Sequence, residues 1–198
     1  RPDAAARASV RREWRIDETV QLIGMVARFD PMKDHVTFLQ AAAMLLRTRE
    51  AVRFVVVGEG DLDYQNRLRG QFDELLLTQK LFGLGARSDM PAVYNAMDIF
   101  TSASAYGEGF SNVIGEAMAS GVPCVVTAVG DSATIVGEAG TIVPPKNPAA
   151  LSDAWRSLLA KSSQDRRALG EKARGRIIDH FSTRALVQNT AEALVQLS

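Results

Sequence analysis

The stretch DIFTSASAYGEGFSNVIGEAMASGVPCVVTA (98–128) decides how this chain is read. It opens on an apolar strand pattern, DIFTSAS (98–104), and closes on a second, PCVVTA (123–128). Between them lies a helical pattern over 111–120 whose apolar positions include Val113, Ala117 and Met118. Strand, loop, helix and strand in succession is the unit of a parallel sheet with helical crossovers. Glu108 and Glu116 stand eight residues apart within it. Were both helical, at about 100° per residue they would lie well apart around the axis. Glu108 and Gly109 instead precede the helix, in the loop leaving the strand, so both acids can face one crevice at the helix start. The backbone N–H groups of Ser111, Asn112 and Val113 are the first donors of that helix and find no partners inside it. Free donors at the positive end of a helix dipole suit a phosphate. Carboxylates flanking a phosphate accept from hydroxyls, so the natural ligand is a sugar nucleotide, one acid for a ribose and one for a hexose.

The same alternation continues outward. Further strand patterns are VQLIGMV (20–26), RFVVVG (53–58), KLFGLG (80–85) and GTIVP (140–144). Helical patterns fall near 34–48, 61–77, 89–96 and 148–160. Strands apolar on both faces and separated by helices predict an α/β fold, a Rossmann-like parallel sheet with helices on both faces. Ligands on such sheets bind in the loops at the carboxyl ends of the strands. Residues 1–19 are charged and Ala-rich, with Arg7, Arg11, Arg12 and Arg15, and read as an amphipathic lead-in helix or linker. The Rossmann-like domain spans 20–180, and a C-terminal helix is expected over 181–198.

Three more loops carry chemistry. In VARFDPMKDHVTF (26–38), Arg28 and Lys33 follow the first strand and precede the next helix. A planar fork and a point charge suit a departing diphosphate, whereas seen alone such a pair is more often exposed surface charge. His35, a lone histidine, is read as structural. In GEGDLD (58–63), Gly58 and Gly60 allow backbone to pass close to a ligand, but Asp63 stands where a dinucleotide fingerprint has its third glycine. An ordinary strand-to-helix turn explains that loop equally well. In LGARSDMP (84–91), Arg87 reads as a solvated surface residue.

EGFSNVIGE (108–116) resembles the Glu-x7-Glu motif of retaining glycosyltransferases with two Rossmann-like domains, the GT-B architecture, and specifically their large family 4 (glycosyl transferases group 1). The resemblance runs from about Val20 to about Pro144 and is specific for the family, not for the sugar. It implies that this chain is the C-terminal, donor-binding half of such an enzyme. Glu108 with Gly109 and Phe110 would then address the transferred sugar, and Glu116 the ribose. Arg28 and Lys33 would bind the donor's phosphates and, with Glu108, carry the catalytic role. Leu84 and Gly85 would meet the nucleotide base through main-chain atoms, and Gly58 would lie near the donor beside Ser111, Asn112 and Val113. The reaction implied is transfer of a hexose from a nucleoside diphosphate sugar, UDP- or GDP-linked, to an acceptor hydroxyl with retention, as in polysaccharide or glycoconjugate synthesis. The sugar nucleotide is a co-substrate. No cofactor is implied, and no metal, since the cations replace one and no His/Cys cluster with ligand spacing is present. Expected partners are the donor, a glycan, lipid-linked or small-molecule acceptor, and a missing N-terminal domain that binds it. The GDS at 130–132 departs from the double glycine common in the family, which bears on local loop shape.

Composition narrows the alternatives. With 198 residues, 46% hydrophobic, the chain can bury one sizeable core. Balanced charge, 23 acidic against 23 basic residues, argues against a nucleic-acid partner. The single cysteine, Cys124, has no partner for an internal disulfide and reads as a small buried residue. No apolar run approaches bilayer length and no signal-peptide pattern opens the chain, so cytoplasmic location is expected; the resemblance implies that the full-length protein works peripherally at the inner leaflet. A first residue of Arg1 suggests a fragment or processed product. A nicotinamide oxidoreductase would need a glycine fingerprint where this chain has ARFDPMKD. A non-catalytic nucleotide-sugar-binding or interaction domain of the same fold predicts damaged phosphate residues, yet Arg28, Lys33, Glu108 and Glu116 are intact.

Overall fold

A computed structural model of the chain describes residues 1–75, 77 and 80–196. The apolar runs become six strands: β1 (Gln21–Val26), β2 (Val52–Val57), β3 (Leu81–Leu84), β4 (Ile99–Ser102), β5 (Cys124–Thr127) and β6 (Thr141–Val143). They form one sheet in the order β3-β2-β1-β4-β5-β6, and every neighbouring pair is parallel. Alternate residues feed two cores, as pleating requires. Ile23, Met25, Phe54 and Val56 point into one, beneath Phe38 and Leu39 of α2 (His35–Leu46) and Trp155 of α7 (Pro148–Ala160). Leu22, Val55, Phe100 and Val126 point into the other, beneath Tyr94 of α4 (Met90–Ala96), Ile114 and Met118 of α5 (Asn112–Ala119) and Ala173 of α8 (Ser163–Phe181). Trp155 packs edge-on against Phe38 with ring centroids 5.2 Å apart, and its indole N–H donates to the Thr101 hydroxyl at 2.9 Å. Its one polar atom is thereby satisfied inside the core.

The strand order reverses between β1 and β4. A crevice opens at such a switch point, outside the carboxyl ends of the strands. Two loops border it, 27–34 after β1 and 103–111 after β4.

The remaining helices are α1 (Ala4–Glu13), α3 (Leu62–Glu74), α6 (Ser132–Val136) and α9 (Thr183–Gln196). The sequence pattern marked no helix at α6, whose single short turn is too brief for a periodic signal. Leu76, within the expected helix 61–77, and Leu197 and Ser198, within the expected helix 181–198, lie outside the described residues. The basic residues of the first segment have inward uses. Arg11, 1% exposed, donates to the carbonyls of Ala96 at 2.9 Å, Asp17 at 2.7 Å and Val20, and pairs with Asp98. Arg7 donates to the carbonyls of Asn95, Ala96 and Met97 and pairs with Asp98 at 3.0 Å. These carbonyls end α4 and have no partners within it, and cations there also meet the negative end of its dipole. α1 is thus fastened across α4.

Arg11→Met keeps the apolar stem and removes every one of these donors. It should lower the unfolding free energy by about 2–3 kcal/mol, between the limits for exposed and fully buried ion pairs, read from urea denaturation followed by circular dichroism.

Candidate functional site

The loop after β1 is built by two acids and a stitch to its neighbour. Phe29 pairs with Gly60 in an isolated parallel bridge, Phe29 N–H donating to the Glu59 carbonyl at 3.0 Å and Asp61 N–H to the Phe29 carbonyl at 3.2 Å. A Cβ at Gly58 would lie 2.0 Å from the Ala27 carbonyl oxygen. The glycine is therefore required by the adjoining loop, whichever ligand comes near. Asp30 accepts from Met32 N–H at 2.8 Å and opens a 3-10 turn over Pro31–Lys33. Asp34 sits in the left-handed region (φ 50°) and caps α2 by accepting from Thr37 N–H at 3.1 Å. The Met32 carbonyl accepts from Ala105 N–H at 2.8 Å, so the turn is tied to the loop after β4.

That tie places Lys33 against Glu108. The Lys33 ammonium donates to both carboxylate oxygens, at 2.9 and 2.7 Å, across the switch point. The Ser104 hydroxyl donates to Glu108 Oε2 at 2.5 Å, and Ser104 is held in turn by the Thr127 hydroxyl, which donates to its carbonyl at 2.7 Å. A Cβ at Gly130 would lie 1.7 Å from the Glu108 carbonyl oxygen, so the loop after β5 closes directly on this residue. The Glu108 side chain is only 8% exposed. Burial alone would raise its pKa, but hydrogen bonds from Lys33 and Ser104 outweigh burial and hold it below the ordinary 4.5. Glu108 is a buried, ionised acceptor.

The start of α5 lies next to it. Ser111 is the N-cap in an extended conformation, and its side chain makes no capping hydrogen bond. The first-turn amides of Asn112 and Val113 are thus left without the usual side-chain acceptor. One turn on, exposed Glu116 accepts at Oε2 from the Tyr94 hydroxyl at 2.7 Å. Tyr94 is 1% exposed. Burial first, and the hydrogen bond to Glu116 second, push its pKa far up, so it stays a donor.

Of the residues singled out in the sequence, Lys33 and Glu108 meet, while Ser111, Asn112, Val113 and Glu116 share one helix end. Arg28 is exposed on the Lys33 loop. Leu84 ends β3, and Gly85 and Gly109 are exposed with open space where a Cβ would stand. Phe110 is 51% exposed and its ring centroid lies 5.5 Å from that of Phe181 on α8. One expectation needs correction. Arg87 is no free surface cation: it pairs with Glu13 at 2.6 Å and Asp89 at 2.7 Å, clamping the loop after β3 to α1. Lys33 is paired with Glu108. His35 is buried and stacked on Phe29 with centroids 4.8 Å apart; burial lowers its pKa to about 4, so a neutral ring supports the Lys33 turn. Tyr94 escaped the sequence reading because its acceptor lies on another helix, and Ser104 because nothing in the local pattern marks it. Among the described residues no three His, Cys, Asp or Glu side chains are grouped to hold a metal ion, and no helix is long and apolar enough to cross a membrane.

The depressed pKa of Glu108 sets a pH window. Its stabilising contribution is fully present above pH 4.5 and is lost as the pH falls through the lowered folded-state value. Lys33→Met strands the carboxylate and should cost about 1–3 kcal/mol at pH 7. The difference from the parent should shrink between pH 5 and pH 3 (about two units spanning the carboxylate titration), as measured by urea unfolding at each pH.

Comparison with known proteins follows this geometry. Residues 6–176 match the family model described as glycosyl transferases group 1. The D-inositol 3-phosphate glycosyltransferase of Corynebacterium urealyticum is 30% identical over 201 residues, covering 97% of this chain and 46% of that protein. The chain therefore spans about half the length of this curated relative. Among solved structures, Anabaena Alr3699/HepE in complex with UDP-glucose superposes with a TM-score of 0.87 at 24% identity, over 98% of this chain and 53% of that one. The C-terminal domain of a glycosyl transferase group 1 family protein (LpcC) from Francisella tularensis gives a TM-score of 0.80 at 24% identity, over 92% of this chain and 95% of that domain. The fold is that of one GT-B half, and with the family model matched over most of its length the chain belongs to the glycosyl transferases group 1 family.

Proposed function

We propose that this chain is the donor-binding half of a retaining glycosyltransferase, holding a nucleoside diphosphate sugar at the carboxyl edge of β1 and β4. The observation that carries the reading is the Lys33–Glu108 pair across the switch point, beside a helix start whose N-cap makes no side-chain cap. A cation, free amides and a buried carboxylate in one crevice match an anion joined to a polyol. The Anabaena neighbour, solved with UDP-glucose, supports the same class of ligand. In this reading Arg28, Lys33 and the amides of Ser111, Asn112 and Val113 take the diphosphate. Glu108, near Gly109 and Phe110, takes the sugar hydroxyls; Glu116 takes the ribose; Leu84 and Gly85 offer backbone to the base beyond Gly58.

Binding requires Lys33 and Glu108 to exchange each other for the ligand. During transfer the bond between the anomeric carbon and the phosphate oxygen breaks, its electron pair leaving with the diphosphate. An acceptor oxygen takes the carbon on the same face and gives up its proton. Fixed cations near the departing diphosphate act where charge develops, which is where preorganised groups lower a barrier most. The acceptor, a glycan, lipid-linked or small-molecule hydroxyl, is held by a second, N-terminal domain. The reaction belongs on the cytoplasmic side, with the whole protein peripheral at the inner leaflet.

Isothermal titration of the chain with UDP, GDP, ADP and their hexose derivatives tests this. At least one should bind, and Lys33→Met should weaken it by about tenfold or more, the loss of one charge-assisted hydrogen bond. Absence of binding by all of them rejects the reading.

A further inference from the structure

A side-chain contact joins α4 and α5 beside the crevice. Glu116 is an exposed acid on a helix surface, and an exposed glutamate is ordinarily free to sample its rotamers. Here one carboxylate oxygen is fixed by a fully buried phenol, Tyr94, at 2.7 Å. Tyr94 is itself immobile: its ring packs edge-on against Phe100 of β4, centroids 5.8 Å apart, and α4 is pinned by Arg7 and Arg11. Among the described residues no protein donor reaches the second carboxylate oxygen of Glu116. A buried donor thus holds one oxygen and leaves the other to accept from a pentose hydroxyl.

We infer that Tyr94 is a positioning residue that orients Glu116 for a pentose diol, and so sets the discrimination between ribo- and 2′-deoxyribonucleotides. The inference rests on the donor-binding reading above. A buried phenol needs some acceptor, and any carbonyl would satisfy it. The use of a carboxylate that is otherwise exposed is what separates orientation from mere burial. Burial keeps the phenol protonated, so Tyr94 remains the donor of this contact.

The test is titration calorimetry of the chain and of Tyr94→Phe with whichever of UDP, GDP or ADP binds best, and with its 2′-deoxy counterpart. The parent should prefer the ribonucleotide by about tenfold, the worth of a hydrogen bond to a charged group. Tyr94→Phe should bring that ratio close to one while leaving affinity for the deoxy ligand nearly unchanged. In a Glu116→Ala background the ratio should already be near one, and Tyr94→Phe should not move it further. The double variant therefore keeps the test valid even where Tyr94→Phe lowers stability. A loss that falls equally on both ligands, or an undiminished ratio in Tyr94→Phe, overturns the inference and leaves donor binding standing. No nucleotide binding by the parent chain overturns both.

Discussion

A parallel sheet cannot join neighbouring strands by tight turns, and in this domain both of its faces are sealed, by α2 and α7 on one side and by α4, α5 and α8 on the other. Polar chemistry is thereby excluded from the sheet and displaced to the strand ends, where each loop turns into its helix. The crossovers on the two sides diverge between β1 and β4, and there the loops part to form a crevice. Lys33 and Glu108 come from those two loops. Their meeting follows from strand order as much as from side-chain chemistry.

Around that crevice the supporting contacts are mostly backbone. The Phe29–Gly60 bridge, the Met32–Ala105 hydrogen bond and the closure of Gly130 on Glu108 fix three loops relative to one another. Side chains then act from a rigid frame, which is what a preorganised site needs. Outside the crevice, α1 is tied to α4 by arginines that saturate the end of that helix, and Arg87 ties the loop after β3 to the same α1.

Sheet, crossovers and the two acids were legible from local pattern: apolar runs at strand length, helical periodicity between them, and a helix start bracketed by Glu108 and Glu116. What the pattern could not supply were pairings across the chain. Ser104 and Thr127 look like ordinary strand-end hydroxyls until β4 and β5 are side by side. Gly130 bears only on local loop shape until the Glu108 carbonyl is laid against it. Arg87 reads as solvated because its partner Glu13 is distant in sequence, and Tyr94 goes unmarked because its hydroxyl's acceptor is on another helix. Lys33 was identified as a cation for an anionic ligand, but that it already holds a counter-ion is a fact of tertiary structure.

The mutual neutralisation of Lys33 and Glu108 has a consequence for selectivity. Free phosphate can draw the ammonium away only by abandoning a buried carboxylate, and a free sugar can engage the carboxylate only by abandoning the ammonium. Each desertion leaves an uncompensated charge in a poorly hydrated place, a heavy cost. Under the donor reading, the crevice rewards coincidence: a nucleoside diphosphate or a free sugar meets one demand and binds more weakly, and a molecule presenting anion and polyol together meets both at once.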